Sequence, residues 1–558
     1  MKEWRKISVL LMMVVIGLLA SCAPSAQRTT PMSPQPTVTT EATKVPATVL
    51  PTAPSEPTAA PTEALTPTAP LAMAPATKEE LVTYVMPGDD WGYPSPFAFY
   101  PRGPGYLRMS YLFDTLVWKD DKGYIPWLAE DWKVAEDGLT WTFRLRQNVK
   151  WHDGQPLTAE DVAFTFQYFK DKLAKGMLKW GWPLGRVASV ETSDDGRTVI
   201  VHMSEPTAGL LADLFGSLPI IPKHIWANVE DPLKKLDQEA VIGSSLFRLI
   251  EYSKEEGRYV YEANPDFFLG KPAVDRLIFI KVKDPALSLI TGEVDEAGFS
   301  GKGITSVREL MAKPEFKVIE GPSHWVLKLY FNTTRSPLDK LAVRQAIAHA
   351  INRQEIVNKA QMGGAIVAST GILSPGSYWH NPNLPTYPFD PDKAKDLLSA
   401  AGVASFATTL VTTDSYVREA ELIKGYLEAV GINLTVKTAD RATVDNLLHE
   451  GNFDLLITGH GGTSNPDMES PSNAKVWTNA EYDELYKRQA GAVNDESRRE
   501  YAWKMQAIIA EQLPVLALWH PKMWEVYRPG KATPFFTPEG VDGGIPSANN
   551  KLMFMPKH

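Results

Sequence analysis

The chain has 558 residues, a formal net charge of −9 and a single cysteine. One cysteine excludes a fold held by internal disulfides, and the acidic balance argues against nucleic-acid binding, which needs a basic face. The chain is rich in Trp, Tyr and Phe, which either fill cores or line ligand clefts.

The first residues have the pattern of a secretory signal. Basic residues within positions 1–6 precede an apolar stretch over residues 7–20. A membrane-spanning helix needs about 20 residues, so this stretch is too short to span but suits the centre of a signal peptide. The letters LASC at residues 19–22 resemble a bacterial lipobox. We expect a lipoprotein signal peptide over residues 1–21 and an acylated Cys22 as lipid anchor; the alternative is a buried free cysteine after a short core helix.

A proline- and threonine-rich tract follows over residues 22–80 and contains no Phe, Tyr or Trp. Such a segment cannot bury enough apolar surface to fold, and proline makes it a semi-rigid tether. We expect a disordered stalk that holds the body, residues 81–558, away from a membrane. No apolar run in the body approaches the length of a membrane span.

The first elements of the body are strands and a capped helix. Residues 140–146 alternate apolar and polar side chains, which predicts a half-buried strand. The Asp-Gly pair in residues 151–154 predicts a turn. Thr158 and Asp161 have the spacing of a capping box, so a helix is expected to begin there.

The later elements are more regular than those of the first half. Apolar residues at positions 343, 346, 347, 350 and 351 predict a packed helix face, and Asn352 with Glu355 predicts the start of another helix. From Asp390 onwards, helices alternate with strands near residues 407–413, 432–437 and 453–458. This alternation is typical of an α/β domain with a parallel sheet.

The sequence lacks the reaction motifs of common enzymes. It has no Gly-x-Ser-x-Gly, no His-Glu-x-x-His and no phosphate-binding loop. His152 beside Asp153 is the best isolated acid–base candidate, but it lies in the predicted turn. We therefore expect no catalytic residues, no cofactor and no metal site, and predict that the protein is not an enzyme.

Several blocks resemble the large solute-binding proteins of ABC importers, the family 5 of dipeptide-, oligopeptide- and nickel-binding proteins. The most specific ones are DGLTWTF at residues 137–143 and HDGQPLTAEDV at residues 152–162. Further blocks match in order at residues 332–357, 390–402, 427–436 and 513–521. The resemblance covers the whole body, from about residue 81 to residue 558.

The resemblance implies an α/β fold of the two-lobed, periplasmic-binding-protein type II-like class, with an extra domain inserted in the first lobe (three domains, cluster C-like). The implied boundaries are residues 81–318 for lobe 1, about 118–225 for the insertion, 319–518 for lobe 2 and 519–558 for a return to lobe 1. The implied protein is a monomeric extracytoplasmic receptor. It would enclose a solute by hinge closure and deliver it to an ABC permease with its ATPase.

A peptide is the first ligand that the resemblance implies. In oligopeptide-binding relatives an aspartate of the second lobe pairs with the peptide ammonium, four residues before a proline. Counting back from Pro466 gives Gly462, so that acid is missing. Asp467 is a possible substitute, since a buried ammonium without a counter-charge is costly.

Oligosaccharides are the alternative, because some members of the family bind them on aromatic platforms. A nickel or metal-chelate ligand is a further alternative, through His380 and His460, and a surface enzyme or adhesin is the alternative from another class. The candidate ligand-binding residues are Asp90, Trp91, Tyr93, Tyr378, Trp379, His380, His460, Asp467 and Trp477.

Overall fold

A computed structural model describes residues 81–100, 103–178, 182–321, 325–460, 475–538 and 548–555. Strands and helices alternate along these residues. The strands are β1 Thr83–Gly88, β2 Val117–Lys119, β3 Tyr124–Pro126, β4 Ala129–Val134, β5 Thr140–Leu145, β6 Val187–Thr192, β7 Thr198–Met203, β8 Phe247–Ser253, β9 Arg258–Ala263, β10 Arg276–Lys281, β11 Glu296–Ser300, β12 Lys317–Gly321, β13 Val326–Phe331, β14 Ala365–Val367, β15 Phe406–Thr412, β16 Ile432–Thr438, β17 Leu455–His460, β18 Val515–Pro521 and β19 Met523–Tyr527. The helices are α1 Gly103–Ser110, α2 Ala159–Ala174, α3 Lys223–Trp226, α4 Pro285–Thr291, α5 Ile304–Met311, α6 Leu341–Ala350, α7 Arg353–Ala360, α8 Pro391–Ala400, α9 Val417–Glu428, α10 Arg441–Glu450, α11 Ala480–Ala490 and α12 Asp495–Gln512.

The first lobe contains two four-stranded sheets. One has the order β1-β10-β9-β8, with β1 parallel to β10. The other is the antiparallel sheet β4-β5-β7-β6, built from the segment that the sequence predicts as an insertion. Both sheets and helix α2 contribute to one large apolar core, which includes Tyr84, Phe143 and Phe166.

The second lobe is built on a six-stranded sheet of order β14-β18-β13-β17-β15-β16. Strand β15 is parallel to β16 and β17, whereas β13 and β14 run antiparallel to β18. Apolar clusters cover both faces of the sheet, one around Ile347 and Leu398 and the other around Tyr330 and Tyr482. The parallel sheet predicted from the alternation is therefore a mixed sheet with a parallel half.

Two segments pass between the lobes. A three-stranded sheet of order β11-β19-β12 adjoins the first lobe. The chain leaves this sheet after Gly321 and enters the second lobe at Val326; it leaves the second lobe at Pro521 and re-enters the small sheet at Met523. The strands that flank the two crossings are neighbours, β13 with β18 in one sheet and β12 with β19 in the other.

The strand predicted from residue 140 and the two predicted helix starts are confirmed. Strand β5 turns Phe143 and Leu145 into the core, and the amide of Thr158 donates to Asp161 Oδ2 at 2.9 Å, as a capping box requires. Asn352 caps α7 by accepting from the Glu355 amide. The fold class expected from the resemblance is also the one observed.

Candidate functional site

A cavity of about 500 Å³ lies beside the two crossings. Its volume is within the range of small-molecule sites in proteins, about 300–1,000 Å³. Both lobes contribute to its walls, as a cleft that closes on a solute requires. The lining residues are Ser300, Gly301, Lys302, Trp325, Gln361, Ser415, Tyr416, Trp519, Pro521 and Met523.

The second-lobe wall is a row of three aromatic rings. The ring of Trp325 lies 6.0 Å from that of Tyr416 in a stacked arrangement and 5.3 Å from that of Trp519. Trp325 directly precedes β13, and Trp519 lies on the neighbouring strand β18 opposite Leu327. Tyr416 follows the carboxyl end of β15. The three rings, on or beside strands β18, β13 and β15 of one sheet, therefore form a continuous aromatic surface.

A glycine makes room for the middle ring. A Cβ atom on Gly459 of β17 would lie 1.9 Å from a ring atom of Trp325. Only a residue without a side chain permits this close approach of the indole to the strand. The position of Trp325 thus depends on Gly459.

The first-lobe wall is formed by the end of β11 and the turn after it. Gly301 has φ +51°, and a Cβ there would lie 2.8 Å from Gln361 Oε1. The amide nitrogen of Gln361 donates to Glu419 Oε1 at 2.6 Å. Glu419 is buried in the first turn of α9, where the helix dipole favours a carboxylate. Gln361 is thereby fixed, with its oxygen turned towards Gly301.

The cavity adjoins the carboxyl ends of the parallel strands. Solutes in open α/β sheets bind at this edge. Tyr416 follows β15, and Arg441 follows β16 and donates to the carbonyl of Gly459 at 3.2 Å. The segment after β17, residues 461–474, lies outside the described residues.

The lobes also meet at a second, smaller cavity of about 230 Å³. Near it, the amide of Ala208 in the first lobe donates to the carbonyl of Ala490 in the second lobe at 3.0 Å. A Cβ on Gly138 would lie 3.1 Å from the side chain of Val493. The segment that is predicted as an insertion therefore contacts the turn between α11 and α12.

The predicted residues near position 90 make contacts within the first lobe. The carboxylate of Asp90 accepts from the hydroxyl of Tyr252 at 2.7 Å and from the Gly92 amide at 3.0 Å. The ring of Trp91 packs on Tyr100, and the Tyr93 hydroxyl donates to the carbonyl of Asp237. None of the three lines either cavity, and their binding role stays a prediction.

Four other predicted residues belong to the second lobe. Trp379 and Trp477 pack in the apolar cluster around Tyr330 and Tyr482, and Tyr378 and His380 flank Trp379 in the chain. Trp379 lines the smaller cavity, and the exposed Tyr378 stacks under the Arg499 guanidinium at 4.5 Å. His380 is half-buried, and burial lowers its pKa. The indole nitrogen of Trp477 donates to Gln512 Oε1 at 3.2 Å. These four residues remain candidates, with Trp379 the one that reaches an interlobe cavity.

Other predictions lie outside the described part of the chain. Cys22, the stalk and Asp467 belong to undescribed segments, and His460 ends β17 without a described side chain. The domain boundaries likewise stay predictions.

His152, the best acid–base candidate, is bonded at both ring nitrogens. The Gly243 amide donates to Nδ1 at 3.2 Å, and Nε2 lies 3.1 Å from the carbonyl of Ser245. This arrangement suits a neutral ring with its proton on Nε2. Burial lowers the pKa of His152 to about 4, which fits a structural role.

Sequence reasoning missed the aromatic wall. Trp519 lies within a block that carries the resemblance, but the block gives no reason to assign it to a cavity. Tyr416 follows the carboxyl end of a predicted strand, which is the signal that could have identified it, whereas Trp325 precedes its strand and gives no such signal.

Neither a metal centre nor a membrane span is found in the described residues. Within the described ranges, no group of three or more His, Cys, Asp or Glu side chains is arranged to hold a metal ion. None of the described helices is both long enough and apolar enough to cross a bilayer.

Comparisons with known proteins agree with this architecture. The chain is 28% identical over 443 residues to the dipeptide-binding protein of Escherichia coli, covering 72% of this chain and 82% of that protein. It is 31% identical over 399 residues to a putative ABC transporter peptide-binding protein of Brucella ovis, covering 67% and 72%. The dipeptide-binding protein of Pseudoalteromonas sp. SM9913, solved in complex with Met-Leu, superposes with a TM-score of 0.65 at 23% identity, covering 84% of this chain and all of that one.

The family model for bacterial extracellular solute-binding proteins, family 5 Middle, matches residues 123–481. This match spans more than half of the chain and covers most of the residues predicted for the insertion and for the second lobe. Proteins of this family are transport receptors and not enzymes. The chain therefore belongs to the family 5 bacterial extracellular solute-binding proteins and is an extracytoplasmic solute receptor of an ABC importer.

Proposed function

We propose that this receptor captures short peptides in the cavity beside the crossings, closes its lobes around them and presents the closed form to its permease. The observation that carries the proposal is the origin of the cavity walls. Ser300 and Lys302 come from the first lobe, whereas Trp325 and Tyr416 come from the second. A solute that touches both walls favours the closed form, because only that form offers both sets of contacts.

Peptides are favoured over the other solutes by two lines of support. The relatives described above are named for dipeptides or peptides, and a volume of about 500 Å³ suits a ligand of a few residues. Oligosaccharides are the second candidate, since the row of aromatic rings offers a surface on which a sugar face can stack.

We also propose that acyl chains on Cys22 hold the receptor, as a monomer, at the outer face of the cell membrane. The LASC sequence and the proline-rich tract support this anchor. A tether of this kind keeps the receptor near its permease while the body closes and opens.

The proposal is tested by a thermal-shift panel on the full chain purified in mild detergent. Dipeptides, tripeptides, oligosaccharides and nickel are compared at equal concentration. A ligand that binds only the folded form at a hundredfold excess over Kd stabilises it by about 2.7 kcal/mol. A shift with peptides is expected; a shift with sugars or nickel alone, or with no small solute, would overturn the peptide proposal.

A further inference from the structure

Lys302 is the only charged side chain among the described residues that line the larger cavity. It is exposed, and its ammonium makes no hydrogen bond or ion pair with any described residue. Other lysines at this junction are paired: Lys522 with Glu320 at 2.9 Å and Lys531 with Asp295 at 2.8 Å. Within the described part of the chain, Lys302 is therefore an exposed, unpaired cationic residue in the wall of this cavity.

The described cavity wall offers no carboxylate to a ligand. The carboxylate of Glu419 lies fully buried behind Gln361 and accepts a hydrogen bond from the Gln361 side-chain amide. A cationic end of a ligand would meet Lys302 without a counter-charge, and that arrangement is unfavourable. The described part of the cavity is therefore suited to an anionic group.

Most of the remaining wall is apolar. Trp325, Tyr416 and Trp519 form the aromatic row, and Pro521 and Met523 continue it across the crossing to the first lobe. Aromatic rings gain from tilted or offset contact with another ring, and methionine adapts to irregular apolar groups. Such a wall is suited to a large apolar side chain.

The two features are neighbours in one cavity. We propose that the cavity takes the carboxyl-terminal residue of a peptide, with the free carboxylate at Lys302 and a large apolar side chain against Trp325, Tyr416 and Trp519. This inference rests on the proposed function and specifies its ligand. The same chemistry is present in a free aromatic amino acid, so the test separates the two sources.

The ligand side of the test uses calorimetric titration of the full chain in mild detergent with four probes: Ala-Phe, Ala-Ala, Ala-Phe amide and phenylalanine. We expect Ala-Phe to bind at least about tenfold more tightly than Ala-Ala, because the phenyl ring is removed from water against the aromatic wall. Ala-Phe amide is expected to bind more weakly than Ala-Phe. Equal affinities for Ala-Phe and Ala-Ala would overturn the inference and leave the peptide function standing. If phenylalanine binds as tightly as Ala-Phe, the ligand is a free amino acid, and the inference that the cavity takes the end of a peptide is wrong.

The protein side uses matched variants. Lys302→Gln is expected to weaken Ala-Phe about fivefold, the upper end for an exposed ion pair, and to leave Ala-Phe amide unchanged. Lys317→Gln, at an exposed lysine of β12 outside the cavity, is the control and should change neither. Equal losses of affinity for Ala-Phe and for Ala-Phe amide would show that Lys302 does not bind the carboxylate.

The aromatic wall is tested in the same way. Tyr416→Ala should reduce the preference for Ala-Phe over Ala-Ala, whereas Phe389→Ala, at an exposed aromatic residue that does not line the cavity, should keep it. An unchanged preference in Tyr416→Ala would place the phenyl ring elsewhere. If no peptide binds any of these proteins, the proposed function itself fails, which is a different result from a peptide that binds without these preferences.

Discussion

The ammonium of Lys551 lies 2.6 Å from the carboxylate of Asp114, and both side chains are fully buried. The ammonium also lies over the rings of Trp118 and Trp127, at 4.2 and 4.9 Å. The indole nitrogen of Trp127 donates to Asp114 as well, at 2.8 Å. Lys551 belongs to the last described segment of the chain, so this ion pair fixes the returning carboxyl-terminal segment to the first lobe.

Replacing Lys551 with methionine should therefore destabilise the first lobe strongly. Removing one partner of a buried ion pair leaves an uncompensated charge and typically costs about 3–5 kcal/mol. Lys234→Met is the control, because the Lys234 side chain is largely exposed in its pair with Asp231, and exposed pairs contribute about 1 kcal/mol or less. Denaturant unfolding followed by tryptophan fluorescence measures both; equal midpoints for the two variants would contradict the structural role of Lys551.

Glu296 and Glu525 form a second buried pair, in the small sheet beside the crossings. The hydroxyl of Tyr84 donates to Glu296 Oε2 at 2.7 Å, and Gly298 leaves space for the Glu525 carboxyl group. Burial raises the pKa of both glutamates, and the neighbouring Glu296 raises that of Glu525 further. The folded chain therefore binds these protons more tightly than the unfolded chain does.

This pair makes the stability depend on pH in a defined direction. The stabilisation that the protonated pair gives to the folded chain is fully present below the unfolded pKa of about 4.3 and is lost as the pH rises through the folded pKa. Each pKa unit of the shift corresponds to about 1.4 kcal/mol of stability. Glu525→Gln imitates the protonated form, so the variant should be more stable than the parent at pH 8 and similar to it at pH 4. Thermal unfolding across this range is the measurement. Glu320→Gln, at a half-exposed glutamate of the same sheet, is the control. If stability changes with pH in the same way for Glu525→Gln and the parent, the buried pair is not the cause of the pH dependence.

Local elements can be predicted from the sequence because their causes are local. The Thr158 cap, the Asn352 cap and the strand at residues 140–145 each depend on side chains a few residues apart. The apolar run predicts the start of β17 two residues too early, at Phe453. The ladder begins at Leu455, since the side chain of Asp454 instead bonds Arg335 and the Thr409 amide.

The cavity cannot be predicted in the same way. Lys302, Trp325, Tyr416 and Trp519 are separated by up to about two hundred positions and meet only through the strand order of the second lobe and the two crossings. An apolar run does not reveal the direction of its strand, and for that reason the sequence predicts a parallel sheet where the chain forms a mixed one. The resemblance predicts the fold class, whereas a prediction of the cavity needs the strand order of this chain.

The bond between the Ala208 amide and the Ala490 carbonyl provides a test of closure. Ala208→Pro removes the donor, and loss of one such bond costs about 0.5–1.5 kcal/mol, so the closed form should release a bound dipeptide up to about tenfold faster. Ala208→Gly keeps the amide and is the matched control. Stopped-flow dissociation measures both rates; equally fast release from the two variants would exclude the hydrogen bond as the cause.

The anchor proposed at Cys22 is tested by detergent partition in the bacterial membrane fraction. Cys22→Ser lacks the thiol that carries acyl chains, so the variant should move to the aqueous phase. Circular dichroism of the body should remain that of the parent. Ser25→Ala is the control and should stay with detergent. Full retention of Cys22→Ser in the detergent phase would disprove the anchor.

The close approach of Trp325 to Gly459 links the second-lobe sheet to the aromatic wall. Gly459→Ala places a Cβ where the indole ring lies, and the ring must move because the backbone on both sides of Gly459 is held in the ladder between β13 and β17. We expect a change in tryptophan emission and weaker binding of Ala-Phe, since Trp325 is the central ring of the wall.

Gly425→Ala is the matched control for this glycine. Gly425 lies within α9, and no atom of its surroundings lies within 4 Å of the position that a Cβ would take. Alanine there should stabilise the helix by about 0.5–1 kcal/mol and leave both the emission and the binding of Ala-Phe as in the parent. If Gly459→Ala binds Ala-Phe as the parent does while its emission changes, Trp325 supports the sheet and not the ligand.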